Sequence, residues 1–491
     1  MLPSGFPLLS LVIFLPLAAA VGLFFIPDPT VARRAALAAA LLELGLCLLP
    51  LVGLDTARGE MQFLEKRTWI AALDIHWQVG VDGISALFLP LTALLTVLVM
   101  LASWTSISHM MRLYFALLLA LESATLGIFC ALDLVLFFLF WELTLPAVYF
   151  LVSLWGVGPQ RRFAAAKYTL MMLAGGVPLL FGFILLALGP GDGGLSFDYL
   201  HLLDHPPPPA RQSLIFLLLL LGFAVKMPLF PFHVWLPRLA MEGPTGLAAL
   251  LVGIKIGAYG ILRFALPLAP AAAREQAGLL TLLGIAGALY GALLALSQGN
   301  LRRMLAFSSV SHVGLVLVGL AALNVQGVQG AVFQLANFTL ITGGLFLLTG
   351  FLHHRLGTTD LIHLGGAARA MPLLASGFFV LGAASIGVPG TNGFAAEHLI
   401  VLGALQTHTG LGLAVLLAAV LGAAYFLEAF RRAFLGPLRQ PAVGAAADLV
   451  RREKWIVGVL VVLTLGLGLV PQPLLDFSAP SLHGWVRRLT P

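Results

Sequence analysis

Long apolar runs alternate with short polar connections along the whole chain. A helix needs about 20 consecutive apolar residues to cross a bilayer. Runs of that kind occur fourteen times, at 8–26, 35–53, 84–104, 113–131, 134–155, 166–188, 212–230, 244–264, 276–297, 304–322, 328–352, 371–406, 409–430 and 455–475. The longest polar connections, 54–83, 189–211 and 431–454, are too short for a separate soluble domain. The pattern predicts an all-α polytopic membrane protein, and we interpret the first run as a helix and not as a cleaved signal.

The composition supports a membrane protein and excludes two other classes. Hydrophobic residues make up 60% of the 491 residues and charged residues 10%, whereas a soluble domain carries about 25% charged residues. A soluble enzyme is therefore excluded, and so is a disordered chain, because this much apolar surface must be buried. The net charge of +6 bears on topology before it bears on nucleic acid, so we expect a lipid environment and no nucleic-acid partner.

The basic residues of the connections predict an orientation. If the N-terminus faces outward, seventeen Lys and Arg side chains fall in inner connections and eight in outer segments. Inner loops of membrane proteins carry the excess of positive charge. Both termini are therefore predicted on the outer (periplasmic) face of a bacterial cytoplasmic membrane.

Redox cofactors and metals find no obvious ligands in the sequence. Cys47 and Cys130 are isolated in apolar runs, whereas iron–sulfur and structural zinc sites need four close ligands. Neither a GxGxxG nor a GxxxxGK[ST] stretch occurs. We therefore expect no cofactor and no metal in this chain.

Two lysines lie inside apolar spans and not in connections. Lys226 follows a long apolar run, and Lys255 has about ten apolar or small residues on either side. A charge at mid-bilayer costs about 2.5–3.5 kcal/mol on insertion scales, so such residues are candidates for function. The acids inside spans are Glu43, Glu122, Glu142 and Glu397, with Glu428 as a further candidate.

Buried lysines and glutamates together have the chemistry of a proton relay. Burial disfavours the charged form of each group, and an opposite charge nearby favours it, so separating a pair can move a proton. His233 and His312 could extend the path, because histidine titrates near neutral pH. The competing interpretation is that these groups only hydrogen-bond helices together or, for the histidines, pack in the core.

Two spans carry residues that break helices. Pro228 and Pro231 follow Lys226, and Pro389 lies in GVPGTNG before Glu397. Freed backbone groups are tolerated only inside protein or beside water, and paired interrupted spans indicate a transport site. The broken span is fourth in each of two runs of five, which predicts two inverted repeats. The predicted units are N-terminal helices (1–112), a first repeat (113–264), a second repeat (276–430), and a basic loop with a C-terminal helix (431–491).

Several stretches resemble one membrane-protein family. KMPLFPFHVWLPRLAMEGPTGLAALLVGIKIGAYGILR at 226–263 resembles the signature of antiporter-like subunits, which occur in proton-pumping NADH:quinone oxidoreductase (respiratory complex I) and in multisubunit cation/proton antiporters. The stretches at 77–92, 133–152 and 308–314 fit the same family. Glu397, Glu122 and the absence of a long C-terminal extension resemble the M-type subunits of complex I.

The resemblance implies a role for each candidate residue. Glu142 and Lys226 would form a modulating ion pair, with Glu122 as an auxiliary group. Lys255 would be the central relay, His312 would continue the path, and Glu397 would be the terminal proton carrier. Flavin and iron–sulfur clusters would belong to partner subunits, and the partners would be other membrane subunits, including homologous ones.

One position departs from the family pattern, and three other functions stay open. Relatives often carry a histidine in span eleven where this chain has Gln334 and Asn337, and asparagine cannot carry a proton. The alternatives to a redox-driven proton channel are a subunit of a cation/proton antiporter, a subunit of a membrane-bound hydrogenase, and a purely structural membrane subunit.

Overall fold

Apolar helices form almost the whole molecule, and the predicted fold class is confirmed. The structure is a computed structural model that describes residues 6–189 and 194–489. Its first ten principal helices are α1 (Leu8–Gly22), α2 (Pro29–Gly53), α3 (Phe88–Ala102), α4 (Met111–Cys130), α5 (Leu134–Trp155), α6 (Arg161–Ala187), α7 (Pro209–Lys226), α8 (Trp235–Glu242), α9 (Thr245–Gly253) and α10 (Ile256–Gly260). The later ones are α11 (Ala277–Leu296), α12 (Leu301–Ala321), α13 (Val325–Leu356), α14 (Pro372–Ser385), α15 (Asn392–Thr407), α16 (Thr409–Phe434), α17 (Arg451–Leu469) and α18 (Gln472–Leu489).

The number of spans depends on how broken helices are counted. Twelve helical segments within the described ranges are long and apolar enough to cross a membrane, and the pair α17 and α18, bent by 69°, makes thirteen if counted as one span. The predicted span 371–406 accounts for the difference from fourteen, because it divides into α14 and α15, each short. The two inverted repeats stay a prediction. Lys226 ends the helix before its break, whereas Glu397 lies on the helix after its break.

A β-hairpin occupies a connection for which the sequence predicted no regular structure. Strand β1 (Gln62–Ile70) pairs antiparallel with β2 (Ile75–Val81). Trp77 of β2 donates a 2.9 Å hydrogen bond to Oγ of Ser10, and Glu65 of β1 accepts one of 2.7 Å from the backbone of Leu9. These bonds tie the hairpin to the first turn of α1. The missed signal is the set of β-branched and aromatic side chains in 62–81.

The interior of the bundle is where the functional candidates lie. Apart from positions near their ends, helices α12 and α13 are buried. They pack against each other, α9 packs on α13, and α15 packs on α13 from another side. Outer helices such as α6, α11 and α16 expose large apolar side chains, as expected for contact with lipid or with neighbouring subunits: Leu170, Phe181, Leu282, Leu417 and Val420. Lys226 and Lys255 are buried in this interior, whereas Val388 and Pro389, between α14 and α15, are exposed.

Candidate functional site

Lys226 is the last residue of α7, directly before that helix breaks. Its Nζ donates hydrogen bonds of 2.8 Å to the main-chain oxygen of Trp141 and 2.8 Å to Oγ1 of Thr144. The same atom lies 4.1 Å from the centroid of the Trp141 ring. Pro228 and Pro231 follow, and the next helical turn starts at 232, because proline cannot continue the helical hydrogen-bond pattern. Helix α7 therefore ends at Lys226, and its buried ammonium group lies against α5.

Glu142 lies on α5 one residue after Trp141 and is half-buried. Its Oε1 has no hydrogen-bond partner among the described residues. A Cβ at Gly176 of α6 would stand 2.5 Å from that oxygen, so the carboxylate lies against the α6 backbone. In the part of the chain that the structure describes, no ion pair within 4.0 Å joins it to Lys226, although their charges interact through space. The predicted pair thus consists of neighbours that are not bonded to each other.

A small cavity connects Lys226 to Glu122 of α4. Its volume is about 40 Å³, and a cavity of at least about 10–15 Å³ can hold a water molecule. Both oxygens of Glu122 lack a hydrogen-bond partner within the described ranges. The hydroxyl groups that line the cavity with them belong to Thr92, Thr96, Thr125, Thr144 and Tyr168. We call this space the central cavity; its walls are mainly apolar with these polar groups among them, and it is large enough for two or three water molecules.

Glu43 of α2 extends this acidic region, although no role was predicted for it. Its side chain is completely buried, and its Oε1 accepts a 3.2 Å hydrogen bond from Sγ of Cys47. Its Oε2 has no partner among the described residues. Helices α2 and α4 are in contact, and Glu43 interacts with Glu122 through space. Glu43 is therefore a second buried carboxyl group near Glu122, which lines the central cavity.

Lys255 lies at an additional break, between α9 and α10, where the sequence predicted an uninterrupted span. Its Nζ donates a 2.7 Å hydrogen bond to Oγ of Ser309 and lies 5.1 Å from the centroid of the Phe338 ring. The break lets α10 approach the end of α7 closely, since a Cβ at Gly257 would stand 2.4 Å from the main-chain nitrogen of Met227. Ile254 and Ile256, on either side of Lys255, line the central cavity. The two lysine breaks are therefore adjacent.

His312 and Glu397 form the far end of the arrangement. Nε2 of His312 lies 2.8 Å from the main-chain oxygen of Ser385, so this nitrogen carries the proton, because a carbonyl oxygen only accepts. The same Nε2 lies 3.7 Å from Oε1 of Glu397. A movement of about 1 Å would bring the carboxylate into hydrogen-bond range. The two side chains are thus neighbours without a hydrogen bond between them.

Serine and tyrosine hydroxyls that the sequence did not single out join these groups. Ser309 receives the hydrogen bond from Lys255, and its neighbour Ser308 lies 3.4 Å from Nδ1 of His312. Ser308 also makes a 2.7 Å hydrogen bond with the hydroxyl of Tyr425 on α16. The only sequence signal was the position of both serines one turn before His312.

Asn337, where this chain departs from the family pattern, lies with Gln334 and Asn392 beside the break between α14 and α15, which is the second of the two predicted breaks. Its Nδ2 donates a 2.9 Å hydrogen bond to the main-chain oxygen of Asn392 and approaches Oε1 of Gln334 at 3.4 Å. Its Oδ1, and both polar side-chain atoms of Asn392, have no partner within the described ranges. These amide groups therefore orient each other, and the atoms without a partner could hydrogen-bond to water.

His233 does not join the other candidates. It is buried, its Nδ1 has no hydrogen-bond partner among the described residues, and its ring packs edge-on against Tyr290 and Phe307. Glu428 is exposed and pairs with Arg431 at 2.9 Å. His233 therefore packs in the core, and Glu428 pairs with Arg431 at the surface.

The second break depends on a glycine beside Pro389. Gly387 has φ +67°, a conformation that side chains disfavour, and a Cβ there would stand 2.5 Å from Oε2 of Glu397. The break between Ser385 and Asn392 therefore leaves room for the Glu397 carboxylate. Helix α14 ends at Ser385, and α15 begins at Asn392.

Comparison with known proteins agrees with this geometry. A family described as NADH:quinone oxidoreductase/Mrp antiporter, TM, matches residues 131–422. The NADH-quinone oxidoreductase subunit M of Rhodobacter capsulatus is 37% identical over 97% of this chain and 95% of its own length. The chain belongs to this family.

Other members are equally similar or share the architecture. The F(420)H(2) dehydrogenase subunit M of Methanosarcina mazei is 37% identical and covers 96% of each chain. A chain of respiratory complex I from Thermus thermophilus matches with a TM-score of 0.90 and 31% identity, over 98% of this chain and 100% of the other. A chain of the Mrp complex from Dietzia sp. DQ12-45-1b, at 22% identity, matches with a TM-score of 0.84 over 99% of this chain and 100% of the other, which shows the common fold.

The predicted membership in the antiporter-like subunits, and the similarity to M-type members, are thereby confirmed. The chain is an antiporter-like membrane subunit of this family. Within residues 6–189 and 194–489, no group of three or more His, Cys, Asp and Glu side chains could hold a metal ion.

This family member also contains a buried ion pair far from the relay candidates. Nη2 of Arg263 lies 2.6 Å from Oδ1 of Asp82, and both side chains are nearly inaccessible to solvent. The same Oδ1 accepts hydrogen bonds from the backbone of Ile84 and Ser85 at 3.1 and 2.9 Å. The pair therefore joins the start of the third predicted span to the end of the eighth.

We expect Asp82→Asn to destabilise the subunit markedly. Removing one partner of a buried ion pair leaves the other charge uncompensated, which costs about 3–5 kcal/mol. The thermal midpoint at which the detergent-solubilised assembly loses this subunit should fall by several degrees. Asp55→Asn, which removes an exposed pair with Arg58, is the matched control and should change nothing; an equal midpoint in both variants would contradict the importance of the buried pair.

Proposed function

We propose that this chain carries protons across the membrane through Glu142, Lys226, Lys255, His312 and Glu397, driven by electron transfer in partner subunits. The observation that supports it most strongly is the row of neighbouring polar side chains in the second half. Lys255 bonds to Ser309, Ser308 approaches His312, and His312 faces Glu397 at 3.7 Å. A purely structural set of charges would be satisfied in pairs, whereas here Glu142 and Glu122 keep unpartnered oxygens.

In this proposal, the charge of Glu142 controls whether Lys226 keeps or releases its proton. With Glu142 ionised nearby, Lys226 keeps its proton, bonded to Trp141 and Thr144. When the Glu142 charge is neutralised, burial favours the neutral amine, and Lys226 releases its proton. Unit charges about 8 Å apart at an effective dielectric of about 20 interact by about 2 kcal/mol. One changed charge is therefore enough to bias a neighbouring protonation equilibrium.

The released proton passes to Lys255 and then to Glu397. Water in the central cavity bridges the two lysine breaks, because the cavity is lined by Lys226 and by both neighbours of Lys255. From Lys255 the proton moves through the serine hydroxyls to Nδ1 of His312, while Nε2 gives its proton to Glu397. Asn337 orients water beside the second break and does not itself carry a proton. Glu122 and Glu43 tune the charge in the central cavity.

The electron-transfer steps belong to other subunits. The partners are further membrane subunits of a respiratory complex, including homologous antiporter-like chains, and the flavin and iron–sulfur clusters lie elsewhere in that assembly. Similar M subunits occur in a complex named for NADH and in one named for F(420)H(2), so this chain does not select the electron donor. The distribution of basic residues supports a bacterial cytoplasmic membrane with both termini on the outer face.

Mild detergent extraction of the native protein tests this assignment. We expect the chain to migrate with a large assembly that contains flavin and iron–sulfur clusters and oxidises NADH with quinone. Recovery in a smaller assembly of membrane subunits without redox centres would overturn the redox-driven proposal and favour a cation/proton antiporter.

A further inference from the structure

Two arginines from different helices meet at one end of the bundle. Arg33 lies near the start of α2, and Arg452 lies in the first turn of α17. Nη1 of Arg33 donates a 2.6 Å hydrogen bond to the main-chain oxygen of Trp104, and Nη2 of Arg452 donates one of 3.0 Å to Oγ1 of Thr105. Trp104 and Thr105 are consecutive residues just after α3, so the two guanidinium groups are neighbours, and their charges repel each other through space. We call Arg33 and Arg452 the arginine pair.

No acidic side chain within residues 6–189 and 194–489 forms an ion pair with either member of the arginine pair. Glu453 attracts Arg452 through space, but both of its carboxylate oxygens are bonded to Arg355. Asp28 lies close to Arg33 in the chain, but its carboxylate caps the start of α2. Two like charges held side by side are stabilised when an anion lies between them. The arginine pair therefore has the electrostatics of an anion site.

Each guanidinium group also keeps unused hydrogen-bond donors. Nη2 of Arg33, Nη1 of Arg452 and both Nε atoms donate no hydrogen bond in the part of the chain that the structure describes. Cζ of Arg33 lies 4.2 Å from the centroid of the Trp104 ring, which orients the guanidinium plane. Oriented guanidinium groups bind phosphate oxygens through two parallel hydrogen bonds. The arginine pair thus has the charge and the donors to hold one phosphate group.

The arginine pair lies at the level of the membrane surface. Arg33 and Arg452 directly precede the apolar runs 35–53 and 455–475, in connections that the charge distribution assigns to the inner face. Trp455, which follows Arg452 by about one turn, is largely exposed. Exposed tryptophan side chains are typical of the membrane–water interface. A phosphate held here would therefore be at the depth of a lipid headgroup.

Partly exposed apolar side chains continue from the arginine pair toward the middle of the membrane. Leu37 and Leu44 of α2, and Val459 and Leu463 of α17, lie on the same helix face as the arginine of their own helix, because positions four, seven or eleven apart share a face. Both helices pack on α3. We call these four side chains the apolar strip; it offers an acyl chain a contact surface directly below the phosphate.

We propose that the arginine pair and the apolar strip bind one phospholipid with an anionic headgroup, which joins the inner ends of α2 and α17. The phosphate accepts hydrogen bonds from both guanidinium groups and offsets their mutual repulsion, while an acyl chain lies along the apolar strip. This site is separate from the proton relay, and the proposal does not depend on it.

Photo-crosslinking in the unmodified, assembled complex tests the site. The probe is phosphatidylglycerol with a diazirine in one acyl chain, and the labelled peptides of this chain are identified by mass spectrometry. We expect label on the peptides that contain the apolar strip, at a level at least about fivefold above that from the matching phosphatidylcholine probe, because arginines attract anionic lipids. Excess unlabelled phosphatidylglycerol should remove this label, whereas inorganic phosphate should not.

The double variant Arg33→Gln/Arg452→Gln should reduce the phosphatidylglycerol label on these peptides to the phosphatidylcholine level. The control is Arg34→Gln/Arg451→Gln, which removes the same number of charges from exposed neighbouring positions on the same face. It should keep the wild-type label. Equal labelling of the two double variants would overturn the assignment of the arginine pair, because any loss would then reflect general surface charge.

The unmodified complex decides the proposal even if the double variant does not assemble. Absence of label from both peptides would show that something other than a lipid covers this face, and would overturn the proposal. Equal labelling by the two probes would show that the headgroup charge is not recognised. Displacement of the label by inorganic phosphate would show that the arginine pair binds a free anion and not a lipid.

Discussion

Lys226→Ala should lower proton translocation by the assembled complex to the background rate, a loss of more than about tenfold. Lys226 is the cation of the central cavity, and its Nζ is held by Trp141 and Thr144 at the end of the broken α7. Without Lys226, a change in the charge of Glu142 can no longer cause the release of a proton. The measurement is quenching of a pH-sensitive dye in inverted vesicles supplied with the electron donor.

The control for this variant is Lys454→Ala, which removes an exposed lysine from the first turn of α17. It should pump at the wild-type rate. Electron transfer to ferricyanide should be equal in both variants, which shows that the redox subunits are assembled. Equal translocation in the two variants would contradict the assignment of Lys226.

Glu397→Gln should produce a loss of similar size. Glutamine keeps the shape of the side chain beside Gly387 but cannot take a proton from Nε2 of His312, 3.7 Å away. Glu397→Asp keeps the carboxyl group at a longer distance and should retain part of the activity. Translocation by Glu397→Gln at the level of Glu397→Asp would show that the carboxyl group does not carry the proton.

Glu428→Gln is the matched control for the Glu397 variants. Glu428 lies on α16, is exposed, and pairs only with Arg431 in the part of the chain that the structure describes. Its loss should leave translocation unchanged. A strong effect at Glu428 would place an essential carboxyl group on the surface and contradict the buried route.

The sequence reveals the candidate charges because each is costly in an apolar span. Lys226, Lys255 and Glu397 stand out against apolar neighbours, and prolines mark the breaks beside the first and the last of them. The break at Lys255 stays invisible, because it lies between small and apolar residues that leave the hydropathy of the span uninterrupted. Its geometry comes from the close approach of Gly257 to α7, which only the packed structure reveals.

Contacts between segments that are distant in the chain could also not be predicted from the sequence. Ser309 lies 54 residues from Lys255, Tyr425 lies 117 from Ser308, and Arg263 lies 181 from Asp82. Each residue type is common, and its significance arises only where helices cross. His233 stays a candidate: its ring packs among aromatic side chains, and its Nδ1 has no hydrogen-bond partner among the described residues.

Translocation by Lys226→Arg is the most direct test of the central claim that Lys226 releases a proton during turnover. Arginine keeps the positive charge and can donate hydrogen bonds, but it cannot be deprotonated in a protein. The proposed relay predicts that this variant assembles, transfers electrons to ferricyanide and pumps no better than Lys226→Ala. Pumping at the wild-type rate would contradict the relay and show that the buried charge serves only to hold α7 against α5.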